Sequence, residues 1–139
     1  MVKNSAKNSA KDRIKKRRFL LKLWSAEGRK HNKCYLCGTT EHLQAHHMFE
    51  KKLYKALRYD VNNRIILCAS CHKFKGQTAY GAFHTSPIAV NKWILDNPLQ
   101  YFYLCLNKDN EINLDNDDVL IDVEEYIINN TPLFERNVV

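Results

Sequence analysis

The chain has 139 residues, 45% of them hydrophobic, and a net charge of +7. That length suits one small domain with appendages and a modest core, and excludes two independent domains. No stretch approaches the ~18 apolar residues of a membrane span, and the polar, basic beginning lacks the apolar segment of a secretory leader, so no membrane partner and a cytoplasmic setting are expected.

The charge is unevenly spread. Residues 1–75 carry 19 Lys or Arg against 5 Asp or Glu, whereas residues 76–139 carry 3 against 10. A basic segment of that strength points to a polyanion, and nucleic acid is the usual one. Five cysteines without a leader argue against a secreted disulfide scaffold.

In chain order, residues 1–10 are expected to be disordered. Residues 11–26 have helical spacing, with Ile14, Phe19, Leu20, Leu21, Leu23 and Trp24 forming an apolar stripe. Gly28 is the expected stop. Lys15, Lys16, Arg17 and Arg18 crowd the remaining positions and are expected to contact phosphates; a solvated basic helix is the plainer alternative. Residues 34–38 read as a knuckle, and residues 42–48 as a short strand carrying His46 and His47. A loop with one helical turn follows over 49–57. Arg58-Tyr59-Asp60 leads to Asn62-Asn63, then to an apolar, β-branched strand over 64–67. A helix starts at Ala69 and is limited by Gly76.

Ser86-Pro87 marks the next helix, with serine as N-cap and proline at the first position. Its expected inward residues are Ile88, Ala89 or Val90, Trp93 and Ile94. Asn97-Pro98 repeats the signal for a helix to about Leu106, whose aromatic run 101–103 is expected in the core. Residues 108–118 form an acidic connection. A last helix over 119–128 turns positions 119/120, 123 and 126/127 inward. The acidic C-terminal part reads as a solvated face, with a partner contact or masking of the basic arm as alternatives. Cys105 is expected to be a buried small hydrophobe, and His31 and His42 to be exposed. His84 is left between a phosphate contact and a polar helix flank.

The chemistry concentrates between residues 34 and 72. Cys34-x-x-Cys37 and Cys68-x-x-Cys71 read as a four-thiolate site for structural Zn²⁺, since each pair makes a tight turn that points two sulfurs inward. Between them stand His46-His47 and Asn62-Asn63, and His72 follows; a purely structural zinc site does not need these. A pair of surface histidines, or one serving the zinc, is the plain alternative. On a strand, His46 and His47 point to opposite faces, and spacing alone does not say which would be a base.

The pattern Cys34-x-x-Cys37, His46-His47, Asn63, Cys68-x-x-Cys71-His72 resembles the HNH endonuclease family, the ββα-metal finger nucleases. The stretch 63–68 is similar to the family's Asn-to-Cys segment, and Arg58-Tyr59-Asp60 to a basic-aromatic-Asp element of phage-type and homing-type members. The resemblance spans roughly residues 34–84. It implies a small α+β fold, a ββα-metal finger with a four-Cys zinc site, flanked by a basic N-terminal helix and C-terminal helices. The corresponding division is a basic arm over 1–33, the nuclease core over 34–85 and a helical extension over 86–139.

It further implies a metal-dependent DNA endonuclease. His47 would be the general base, and Asn63 would fix the inter-strand loop and help hold it. His46 and His72 would ligate a second divalent cation. Many members have aspartate at the position of His46; two neutral imidazoles suit Mn²⁺, Ni²⁺, Co²⁺ or Zn²⁺ better than Mg²⁺. Arg58 and Lys73 are expected to touch DNA. A non-catalytic zinc-finger DNA-binding protein and a junction- or flap-specific recombination nuclease are the alternatives. Monomer and homodimer both fit, as does a phage-encoded protein acting in a host cytoplasm.

Overall fold

The computed structural model describes residues 9–132. The expectation of disorder over residues 1–10 falls, for residues 1–8, outside the described residues, and is corrected for the last two: Ser9 caps α1 and Ala10 begins it. The order of elements is α1 (Ala10–Arg29), β1 (Leu43–His47), β2 (Arg64–Cys68), α2 (Ala69–Lys73), α3 (Pro87–Asp96), α4 (Pro98–Asn107) and α5 (Asp117–Asn129). Two 3₁₀ turns, Lys55–Leu57 and Val61–Asn63, punctuate the connection between the strands. This is the small α+β fold expected, with one two-stranded antiparallel ribbon.

The local reasons for these elements are visible in their caps. Ser9 opens α1 with a capping box: its Oγ accepts from the Asp12 N–H, and the Asp12 carboxylate accepts from the Ser9 N–H. Ser86 caps α3 ahead of Pro87, and Asn116 caps α5 by accepting from the Asp118 and Val119 N–H groups. Gly76, at φ 79°, takes a backbone conformation that side chains disfavour and stops the short α2 segment.

Gly28 does not end α1; it lies inside the helix, which runs to Arg29. A side chain there would collide with the Arg64 side chain. Arg64 crosses the helix at this point, donating to the Trp24 carbonyl at 2.8 Å. The glycine therefore makes room for a tertiary contact.

The ribbon pairs Leu43 with Cys68, Gln44 with Leu67, His46 with Ile65 and His47 with Arg64. Helix α1 covers one face of it and α2 the other. Two apolar clusters result. One gathers Leu57, Ile65, Leu67, Phe83, Trp93 and Leu104 around the cysteines. The other joins α1 to α5 through Leu20, Trp24, Tyr59, Leu120, Val123 and Ile127. The inward residues of α5 are those its periodicity predicts. In α3 and α4 the prediction fails in part: Ala89 and Trp93 are buried, but Ile88 and Phe102 face outward, and Cys105 is only half-buried.

Candidate metal centre and base

The four cysteine sulfurs lie within 4.8 Å of one another. Each Cys-x-x-Cys turn folds back on itself: the Cys37 N–H donates to Cys34 Sγ at 3.5 Å, and the Cys71 N–H to Cys68 Sγ at 3.4 Å. Gly38, at φ 80°, closes the first turn by donating to the Cys34 carbonyl. Tetrahedral Zn–S bonds of about 2.3 Å put sulfurs about 3.8 Å apart, and the Cys37 and Cys68 sulfurs stand at 3.7 Å. The donor set fits such an ion. Burial opposes ionisation of Cys34, but N–H donors from Cys37, Cys68 and Leu36 outweigh it and lower its pKa; burial raises that of Cys71.

A second cluster is built from imidazoles. His46 Nδ1 faces His72 Nε2 at 2.9 Å, and a nitrogen of His84 completes a set within 4.8 Å. His84 arrives through the backbone: the Phe83 and His84 N–H groups donate to the Cys71 and His72 carbonyls, at 2.6 and 2.9 Å. The zinc-type turn that begins α2 therefore also carries the third imidazole into place. The His72 Nδ1–H donates to Gln44 Oε1 at 2.7 Å, which leaves the Nε2 lone pair directed at His46. Metal-bound histidines commonly give their second N–H to an oxygen in this way. Burial, then the charges of His72, His84, His47 and Lys73, push His46 down from 6.5 to about 3. Burial, then Lys73 and His84, push His72 down to about 4. Neutral imidazoles at ordinary pH are what a cation requires.

His47 lies on the other face of β1, as strand alternation demands. Its ring stacks on Trp24, with centroids 3.9 Å apart and planes 12° from parallel. Its Nε2–H donates to the Arg58 carbonyl at 2.8 Å, which leaves Nδ1 as the acceptor. Burial, opposed by that carbonyl, and the charges of Lys51 and Arg58 lower it to about 4. Trp24 is itself held, its indole N–H donating to the Asp60 carbonyl at 3.0 Å. The Asp60 carboxylate in turn accepts from the Tyr103 and Tyr126 hydroxyls at 2.7 and 3.2 Å.

Asn63 is fully buried beneath this loop. Its Nδ2 donates to the Phe49 and Leu57 carbonyls at 2.9 and 3.1 Å, and its Oδ1 accepts from the Phe49 N–H at 2.7 Å. Asn62, equally buried, donates instead to Asp60 Oδ1 at 3.0 Å.

The cationic residues have diverse settings. Lys16 pairs with Glu124, and Arg17 with Asp115 at 3.0 Å and the Leu114 carbonyl at 3.1 Å, all in or just before α5. Lys15 and Arg18 are exposed. Arg58 turns back to the Lys51 carbonyl at 3.3 Å. Lys73 is exposed beside the imidazole cluster.

Residues 34–78 match the HNH endonuclease family. The matched HNH segment contains the four cysteines, His46, His47, Asn63 and His72, while His84 and Trp24 lie outside it. No curated protein and no solved structure matches the chain. The HNH match supports nuclease or DNA-binding activity, and the two clusters support metal binding. Among the described residues no helix is long and apolar enough to cross a membrane.

Three contributors were missed or left open by sequence reasoning. Gln44 stands two residues before His46, on the same strand face, and that period-2 relation is the one available signal. Trp24 reads only as core in the sequence. The place of His84 depends on backbone pairing of residues 83 and 84 with the carbonyls of Cys71 and His72, a contact that no sequence pattern signals.

Proposed function

We propose that the protein is a metal-dependent DNA endonuclease. His46, His72 and His84 hold one divalent cation, His47 is the general base, and the four cysteines hold a structural Zn²⁺. The observation that carries this reading is the convergence of three imidazole nitrogens within 4.8 Å beside an HNH segment. In this reading residues 34–85 are the nuclease core, with the arm over 1–33 and the extension over 86–139 packed around it.

When bound, the cation supplies Lewis-acid charge at the scissile phosphate. Gln44 fixes the tautomer of His72. The Arg58 carbonyl fixes that of His47, so Nδ1 is the atom that takes a proton from the attacking water. The Trp24 face sets the plane of the ring. Water oxygen bonds to phosphorus, the P–O3′ bond breaks, and the leaving oxygen takes a proton from solvent, giving a 3′-hydroxyl and a 5′-phosphate. With a lowered pKa His47 is unprotonated at neutral pH; an anionic phosphodiester beside it raises its basicity when it is needed. Asn63 holds the loop that carries the Arg58 carbonyl.

The test is plasmid nicking by wild type and His47→Ala, with zinc content measured in both. Loss of cutting at unchanged zinc is expected; cutting at the wild-type rate would remove His47 from the mechanism. With imidazole ligands, Mn²⁺, Ni²⁺ or Co²⁺ should support more activity than Mg²⁺. A second reading, DNA binding without cutting, draws support from His47 and the imidazole cluster facing opposite sides of the strand. It gains if DNA shifts in a gel and no metal gives cleavage.

A further inference from the structure

Helix α4 contains no charged residue. Its inner side is occupied: Leu104 and Gln100 are buried, Gln100 donates to the Asn62 carbonyl at 2.7 Å, and Tyr103 donates to Asp60. Its outer side is a row of large apolar groups at positions spaced by three and four: Leu99 is 69% exposed, Phe102 60% and Leu106 65%. On α3, Ile88 and Leu95, seven positions apart, are 63% and 79% exposed. Leu95 and Leu99 stand two residues either side of Asn97, the single residue between the two helices.

We propose that this α3–α4 face is the interface of a two-fold homodimer. The spacing of Leu99, Phe102 and Leu106 is that of a helix–helix seam, which an identical helix can enter. In a two-fold contact each patch meets its own copy, so any charge on it would face a like charge. Helix α4 carries no charge, and on α3 Lys92, between Ile88 and Leu95, is paired with Asp96, so the patch presents no net charge to its copy, although residues 76–139 as a whole are acidic. The same balance disfavours nucleic acid as the occupant, since phosphates would find no cation on α4 and on α3 only Lys92, already paired with Asp96. The five side chains expose on the order of 500 Å² of apolar surface per copy. Doubled across the axis, that reaches the roughly 1,000 Å² at which specific interfaces begin. A reversible, concentration-dependent dimer follows. The inference is independent of the nuclease reading, because neither metal cluster takes part.

The experiment is sedimentation equilibrium or light scattering on the full chain over a concentration series up to the hundred-micromolar range. Wild type should approach twice the 16.3 kDa chain mass. Phe102→Glu and Leu106→Glu, both at exposed sites, should stay monomeric with unchanged zinc and helix content. Leu53→Glu, at an exposed site between the strands, should dimerise like wild type. A wild type that remains monomeric throughout, a Phe102→Glu protein that still dimerises, or a Leu53→Glu protein that does not, each overturns the proposal.

Discussion

Replacing Asn63 by alanine should weaken the fold more than its polar character suggests. The side chain is fully buried and makes three hydrogen bonds, with the Phe49 N–H and the Phe49 and Leu57 carbonyls. At about 1 kcal/mol net for each, plus the cost of stranding a buried N–H and carbonyls, the loss is about 3–4 kcal/mol. Against a typical total of about 5–15 kcal/mol that is a large fraction. Urea unfolding at saturating zinc and neutral pH measures it directly. In a domain of this size the melting temperature should fall by about 10 °C. Asn63→Asp should do no better, since it keeps the acceptor but aims a carboxylate at two carbonyls. DNA cutting should fall as well, because the loop that Asn63 ties down carries the carbonyl partner of His47. A stability loss under about 1 kcal/mol would refute the reasoning, and the role of Asn63 would then have to be sought at the substrate.

His84→Ala should weaken Mn²⁺ binding to the zinc-loaded protein by about tenfold or more without lowering zinc content; calorimetric titration reads both sites. Stripping the zinc with a strong chelator should abolish the fold, seen as loss of far-ultraviolet helix signal, because the ribbon and α2 share their core with the cysteines. Gly28→Ala should cost about 1–3 kcal/mol in urea unfolding, since the new methyl group displaces the Arg64 side chain. Stability should be full above about pH 6.5 and fall towards pH 4, because His46, His47 and His72 titrate near 6.5 when unfolded but at about 3, 4 and 4 when folded. Protons also compete with the metals, so both effects have the same sign; a denaturation midpoint flat over this interval would contradict it.

The parts of the structure that could be read from the sequence are those set by short-range chemistry. Ser86-Pro87 starts α3 because capping is decided within four residues. Leu120, Val123 and Ile127 turn inward because α5 lays one face on the apolar side of α1. The cysteine turns assemble because each pair needs only its own tight loop. What could not be read depends on a third element. Gly28 looks like a helix stop until Arg64 is seen crossing it. Phe102 looks like core until Gln100 and Leu104 are found occupying the inner side of the same helix. His84 acquires a role only because residues 83 and 84 pair with the backbone of α2.

The uneven charge of the sequence is also transformed by folding. The basic first half and the acidic second half are not left as opposite poles. Arg13, Lys16 and Arg17 of the arm meet Asp117, Glu124 and Asp115, so the α1–α5 contact spends much of the imbalance internally. Such partly exposed pairs add little to stability. Their consequence is to orient the residual charge: Lys15 and Arg18 stay exposed on α1, while Lys51 and Arg58 act on His47 and Lys73 acts on His46 and His72. A phosphodiester at the imidazoles would thus meet Lys51, Arg58 and Lys73 in addition to the cations of the arm. Raising the salt concentration should therefore weaken DNA binding even in a protein whose Lys15 and Arg18 have been replaced, and removing Lys51 and Lys73 should flatten that dependence further.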